Sequence, residues 1–129
     1  MPLHPTKYAE LLGDKIHQNK VNVWLVNTGM TGGSYGVGSR MKLSNTRAMI
    51  TAALNGDLNK VAFTKHPIFG VMMPEHCPYI VSEILNPRNT WNNKELYDET
   101  ATKLASMFHK NFEKYIAFAN EETLLGEPK

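Results

Sequence analysis

Tyr8, Leu11, Leu12 and Ile16 recur at spacings of three and four behind Pro5, a residue tolerated in a first helical turn. The pattern predicts an amphipathic helix over Thr6–Gln18 that ends at Asn19-Lys20. The next run, Val21-Asn22-Val23-Trp24-Leu25-Val26, is β-branched and aromatic, too short for a typical helix, and stops where glycines begin, so it predicts a buried strand. Five glycines then fall within the ten positions Gly29 to Gly38, a density that predicts no regular element but lets the backbone approach a ligand closely. Beyond it, Ser44 or Asn45 can cap a helix carrying Met49, Ile50, Ala53 and Leu54, which Asn55-Gly56 can close with a left-handed turn.

Val61 to Met73 shows two short apolar stretches split by His66-Pro67, suited to short strands or irregular cover, and Pro74 and Pro78 punctuate the loop that follows. Tyr97, Ala101, Leu104, Met107 or Phe108, Phe112, Tyr115 and Phe118 predict a long helix from about Lys94 to Phe118, with this stripe packed as core and charges on the other face. Glu121–Lys129 has little periodicity and is expected to fray. No internal repeat interrupts this series, and its mixture of strands and helices indicates one mixed α/β unit over residues 1–129.

Composition narrows the function classes. A 129-residue chain with 42% hydrophobic and 20% charged residues can bury a core, which argues against disorder. The longest apolar runs, such as Val23–Val26, fall far short of the roughly 20 residues that span a bilayer. Fourteen Lys and Arg against twelve Asp and Glu give a formal charge of +2, without the basic stripe of a nucleic-acid footprint. Local positive sites must therefore carry any anion binding. The single cysteine, Cys77, makes no internal disulfide, and Met1-Pro2-Leu3-His4 lacks the start of a signal segment, so the cytoplasm is the expected compartment.

Gly33-Ser34-Tyr35-Gly36-Val37-Gly38 has the glycine spacing of a Walker A loop between a predicted strand and helix. The chemistry fails, because Ser39 stands where the phosphate-binding lysine belongs and Arg40 where the magnesium-binding hydroxyl belongs. Two readings stay open: backbone N–H groups with Arg40 and Thr46 could hold an anion, or the glycines merely make a tight connection.

His66, His76 and Cys77 lack paired ligand spacing and read as two surface histidines and a loop thiol rather than a zinc site. Glu83, Asp98 and Glu99 have no activated nucleophile or partner histidine at a recognisable spacing, so none is assigned as an acid or base. Asn86-Pro87-Arg88-Asn89-Thr90-Trp91 is dense in turn formers, with Trp91 suited to anchor the turn and Arg88 to pair with a carboxylate.

His4-Pro5-Thr6-Lys7-Tyr8-Ala9-Glu10, Asn27-Thr28-Gly29, Gly32-Gly33-Ser34-Tyr35-Gly36-Val37-Gly38, Thr46-Arg47-Ala48 and Ile84-Leu85-Asn86-Pro87-Arg88-Asn89-Thr90-Trp91 together resemble the ATP-dependent phosphoenolpyruvate carboxykinase family. The similarity runs from about Leu3 to about Ala119, and several separated motifs in the right order make it specific. It implies that the chain is the C-terminal part of a nucleotide-binding carboxykinase domain, a fragment of a longer protein. The family's own P-loop, its metal-binding lysine, histidine and aspartate, and its oxaloacetate-binding arginine would then lie upstream.

The resemblance further implies that Arg40, Met41 and Thr46 contact ATP on its adenine side, and that no catalytic or metal-binding residue lies within this chain. Arginine can serve a phosphate or stack on a base, Met41 can pack an adenine face, and Thr46 can donate a hydrogen bond. Three departures accompany these matches. Ser39 replaces the usual lysine, Met30 replaces the usual tryptophan, and Tyr79-Ile80-Val81 differs from the usual glycine- and proline-containing stretch.

The implied reaction converts oxaloacetate and ATP to phosphoenolpyruvate, ADP and carbon dioxide in gluconeogenesis. Mg2+ and Mn2+ would be bound by the N-terminal portion, and the parent enzyme would be monomeric, with no nucleic-acid or membrane partner. On this reading the 129-residue chain alone does not turn over oxaloacetate and leaves an apolar face open. The alternative is a non-catalytic nucleotide-binding or structural remnant.

Overall fold

The computed structural model describes residues 3–129; Met1 and Pro2, on which the reading of the N-terminal segment partly rests, lie outside the described residues. Pro5–Asn19 forms helix α1, with the proline in its first turn and Lys20 closing it in the left-handed region at φ +50°. Its first turn is fixed by His4, whose Nδ1 lies 2.8 Å from the Thr6 hydroxyl and whose ring tilts against Phe118 with centroids 4.8 Å apart.

Val21–Val26 is not a buried strand. No other segment pairs with it among the described residues; Val21, Val23 and Leu25 are exposed while Trp24 and Val26 are half-buried. The sequence pattern favours extended chain, but a strand is stabilised by a hydrogen-bonded neighbour, and here only one side of the segment finds packing. Trp24 supplies it by stacking on Phe63, with centroids 6.0 Å apart and planes inclined by 27°.

Two short antiparallel hairpins carry the β structure. Met30–Thr31 (β1) pairs with Ser39–Arg40 (β2), and Phe63–Lys65 (β3) pairs with Met72–Pro74 (β4). Between them Leu43–Leu54 forms α2. Its N-cap is Lys42 rather than Ser44 or Asn45, and it has no side-chain cap. Its end follows expectation: Asn55 N–H bonds to the Thr51 carbonyl, and Gly56 turns the chain at φ +74°. Ala52 of α2 packs with Leu58, Cys77 and Ile80 as the buried core, to which Trp24, Ala48, Met49, Ala53, Ile84 and Leu85 add half-covered apolar surface.

Asn86 caps the four-residue helix α3 (Pro87–Thr90) by accepting the Arg88 N–H, and Asn93 caps α4 (Lys94–Phe112) by accepting the Leu96 N–H. The long helix ends six residues earlier than expected, and Glu113–Phe118 continues as a tighter 3₁₀ turn. Phe112, Tyr115 and Phe118 are spaced by three, which matches three residues per turn. Of the stripe expected to be core, only Tyr97 and Ala101 are buried, with Ala105 beside them; Leu104, Met107, Phe108 and Phe118 are exposed. The larger side chains are covered on one side only: Phe108 meets Phe69 edge to face with centroids 6.3 Å apart, and Tyr115 and Phe118 pack against His4. Within the stretch expected to fray, Glu121–Leu125 forms a short helix, α5, capped by Asn120.

Helices and small antiparallel sheets together give the mixed α/β class that the sequence predicts. Among the described residues no helix is long and apolar enough to cross a membrane.

Candidate functional site

The glycine-rich segment closes the β1–β2 hairpin. Asn27 sets the entry, its Oδ1 accepting the Gly29 N–H at 2.9 Å, and the ladder then pairs Met30 with Arg40 and Thr31 with Ser39. Within the turn Ser34 O accepts from both Val37 N (3.1 Å) and Gly38 N (2.9 Å). A side chain at Gly38 would place its Cβ 2.5 Å from the Gly33 and Thr31 carbonyl oxygens, so the turn requires glycine there. Because α2 begins only at Leu43, the loop joins two strands rather than a strand and a helix. That geometry removes the remaining likeness to a Walker A loop, which the missing lysine had already stripped of its chemistry.

Arg40, Met41 and Thr46 occupy the junction between β2 and α2. Arg40 is exposed, and among the described residues no carboxylate pairs with its guanidinium. Met41 is buried; its N–H bonds to the Gly29 carbonyl at 2.8 Å, extending the ladder by one step, and its sulfur lies 3.9 Å from Asn45 Nδ2. Thr46 is also buried in the first turns of α2, with its N–H on the Lys42 carbonyl at 3.2 Å. The junction therefore carries one outward cation, with Met41 and Thr46 turned into the interior.

The charge pattern along the sequence on either side of this junction has one sign. Between Asp14 and Asp57 the sequence contains no acidic residue but five basic ones, Lys15, Lys20, Arg40, Lys42 and Arg47. An anion approaching Arg40 meets no carboxylate from the surrounding chain segment.

The other residues considered from sequence have structural partners. His66 is buried rather than a surface histidine; Cys77 is a loop thiol, as expected, but a buried one, and His76 is exposed. His66 Nδ1 accepts the N–H groups of Ile68 and Phe69, each at 3.2 Å, and Nε2 lies 2.7 Å from the Tyr97 hydroxyl. Burial holds the imidazole below its ordinary pKa. Burial, with the Asp57 carboxylate as a smaller contribution, raises the Cys77 thiol. Among the described residues no group of three or more His, Cys, Asp or Glu side chains is placed to hold a metal ion.

Arg88 finds the expected carboxylate in Asp98, its Nε and Nη2 each donating at 2.9 Å to a separate oxygen. This bidentate bond raises the arginine and lowers the aspartate from their ordinary pKa values. Trp91 meets Tyr97 edge to face at 5.6 Å. Thr90, in the same motif, accepts hydrogen bonds from Gly32 N and from the Thr31 hydroxyl, both at 3.1 Å. Its role was missed from sequence; the available signal was a hydroxyl residue inside a turn, a type that readily bonds nearby backbone.

Comparison with known proteins adds the remaining observation. The sequence model of the phosphoenolpyruvate carboxykinase family matches residues 1–83. The chain is similar to the phosphoenolpyruvate carboxykinase (ATP) of Flavobacterium johnsoniae, at 60% identity over 99% of this chain, and to that of Christiangramia forsetii, at 57% over the same share. It is 61% identical to the Brevibacillus brevis protein of that name over 88% of its length. These alignments cover 24%, 24% and 22% of the relatives, so the chain spans about a quarter of their length.

Proposed function

Because the chain belongs to the ATP-dependent phosphoenolpyruvate carboxykinase family, we propose that it supplies adenine-side ATP contacts to an enzyme of that activity. The proposed reaction takes oxaloacetate and ATP to phosphoenolpyruvate, ADP and carbon dioxide, a step of gluconeogenesis in the cytoplasm.

The observation that carries this assignment is Arg40: a guanidinium held at a strand end by backbone ladder bonds, exposed and without a carboxylate partner among the described residues. A cation left without an internal partner next to an acid-free segment is suited to a phosphate or a base face. Thr46 would contribute its hydroxyl. Met41, being buried, would shape the apolar floor rather than offer a full face to adenine.

Mg2+ and Mn2+ would neutralise phosphate charge during such a transfer, from ligands outside the residues described here. The 129-residue chain alone is therefore expected to leave oxaloacetate unconverted.

The test is Arg40→Ala in the complete gene product. Loss of a charge-assisted hydrogen bond, worth about 1.5 to 3 kcal/mol, should raise the KM for ATP by about one to two decades while the KM for oxaloacetate and the melting temperature stay put. Arg40→Lys should recover only part of the loss, since a point charge does not reproduce the planar fork. An unchanged KM for ATP in a folded Arg40→Ala protein overturns the assignment.

A further inference from the structure

From the distant part of the chain, the hairpin that carries Arg40 is held by the Thr90 hydroxyl. Thr90 Oγ1 donates to the Pro87 carbonyl at 2.7 Å and accepts from Gly32 N and Thr31 Oγ1, both at 3.1 Å, so its one proton and both lone pairs are used. Gly32 fits this contact because it has no side chain: at φ +77°, a Cβ there would lie 2.9 Å from the Thr90 carbonyl oxygen. Thr31 is the last ladder residue of β1 and lies across from Ser39, Gly32 is the first residue of the turn, and Met30, one step back along β1, faces Arg40.

Thr90 itself is held firmly. Lys94 Nζ donates to the carbonyls of Arg88, Asn89 and Trp91 at 3.0, 2.8 and 2.7 Å, gathering the end of α3 onto the start of α4. The Arg88–Asp98 pair and the Trp91–Tyr97 contact add two further ties to α4. The chain of contacts thus runs from α4 through α3 and Thr90 to the hairpin, and across the ladder to Arg40 and Met41.

We propose that Thr90 is a positioning residue for the nucleotide-binding hairpin, setting through Thr31 and Gly32 where Arg40 stands. This rests on the assignment of Arg40 to ATP. Thr90 has no contact with substrate in this role; it acts on affinity by limiting how far β1, and β2 with it, can shift.

The experiment compares Thr90→Val, Thr90→Ser and Thr31→Val with Arg40→Ala in the complete gene product, reading KM for ATP, KM for oxaloacetate, kcat and melting temperature. Thr90→Val keeps the β-branched shape and removes both acceptor contacts, so the KM for ATP should rise about three- to tenfold, with the KM for oxaloacetate unmoved. Thr90→Ser, which keeps the hydroxyl, should restore it. Thr31→Val removes one of the two contacts and should shift the KM for ATP in the same direction by less, which keeps the inference testable if Thr90→Val fails to fold. If Arg40→Ala raises the KM for ATP and Thr90→Val or Thr31→Val does not, the positioning role is wrong and the nucleotide assignment stands. If none of the variants moves it, both are wrong. A fall in melting temperature without any change in KM, or no recovery in Thr90→Ser, reduces Thr90 to a structural residue and overturns the inference.

Discussion

The Tyr97 hydroxyl and His66 Nε2 lie 2.7 Å apart in a buried contact that joins the β3–β4 turn to α4. Since Nδ1 of the same ring receives the Ile68 and Phe69 amide protons, the ring's own proton sits on Nε2 and points at the tyrosine oxygen. A second ring proton would have to displace both amide contacts.

Stability should therefore fall as pH drops through the ordinary histidine range. Burial lowers the folded pKa of His66, so between that value and about 6.5 the unfolded chain binds more protons than the folded one. The contribution is complete above about 6.5 and declines below it. Denaturant unfolding at a series of pH values should show this slope in the wild type and lose it in His66→Gln; an equal slope in both would assign it elsewhere.

Tyr97→Phe deletes the oxygen and leaves the Nε2 proton of His66 without its partner in a buried site. The expected loss is about 1 to 3 kcal/mol in equilibrium unfolding. A change within error would mean that the ring finds a replacement acceptor.

Gly32→Ala should cost about 1 to 2 kcal/mol for a left-handed residue with a side chain, and more if the Thr90 carbonyl cannot move aside. Gly36→Ala provides the control, because its φ is also positive, +88°, while nothing lies within 4 Å of its Cβ position. A larger loss at position 32 than at 36 isolates the contact with Thr90 from the backbone strain that the two share.

Cys77 is fully buried and its thiol is raised, so both access and thiolate fraction work against reaction. A disulfide reagent at neutral pH should label the native protein far more slowly than the denatured chain. Equal rates would show that the core around Ala52, Leu58 and Ile80 opens readily.

Val23 and Leu25 are 60% and 87% exposed, and with Val21 they form an apolar row. The 129-residue chain should bind a hydrophobic dye and associate in sedimentation, and Val23→Lys with Leu25→Lys should reduce both without lowering the melting temperature. A drop in melting temperature would instead mean that these side chains pack in solution.

The local rules were legible where a short segment decides its own fate. Pro5 placed the start of α1, Asn55-Gly56 the end of α2, and Arg88 its need for a carboxylate. Where the outcome depended on a distant partner, the sequence was ambiguous. Val21–Val26 has strand composition but no ladder neighbour among the described residues, and Met107 and Phe108 sit on a helical stripe yet stay exposed, Phe108 being covered only edge-on by Phe69. The loop setting of Cys77 is legible from Pro74 and Pro78, whereas its full burial depends on Ala52, Leu58 and Ile80, which arrive from elsewhere in the chain. At the candidate site the glycine turn and the Arg40 cation could be read directly; its anchor could not, because Thr90 lies 58 residues from Gly32.

The absence of any carboxylate side chain from Lys15 to Gly56 has a kinetic side. If Arg40 takes the nucleotide as proposed, Lys42 and Arg47 would draw a polyphosphate before it docks, so the benefit would fall mainly on the rate of arrival. Raising ionic strength shrinks the reach of that attraction to about 10 Å at 0.1 M and about 3 Å at 1 M. Nucleotide association should slow steeply with salt while dissociation changes little, and charge reversal at Arg47 should reproduce at low salt much of what high salt does to the wild type.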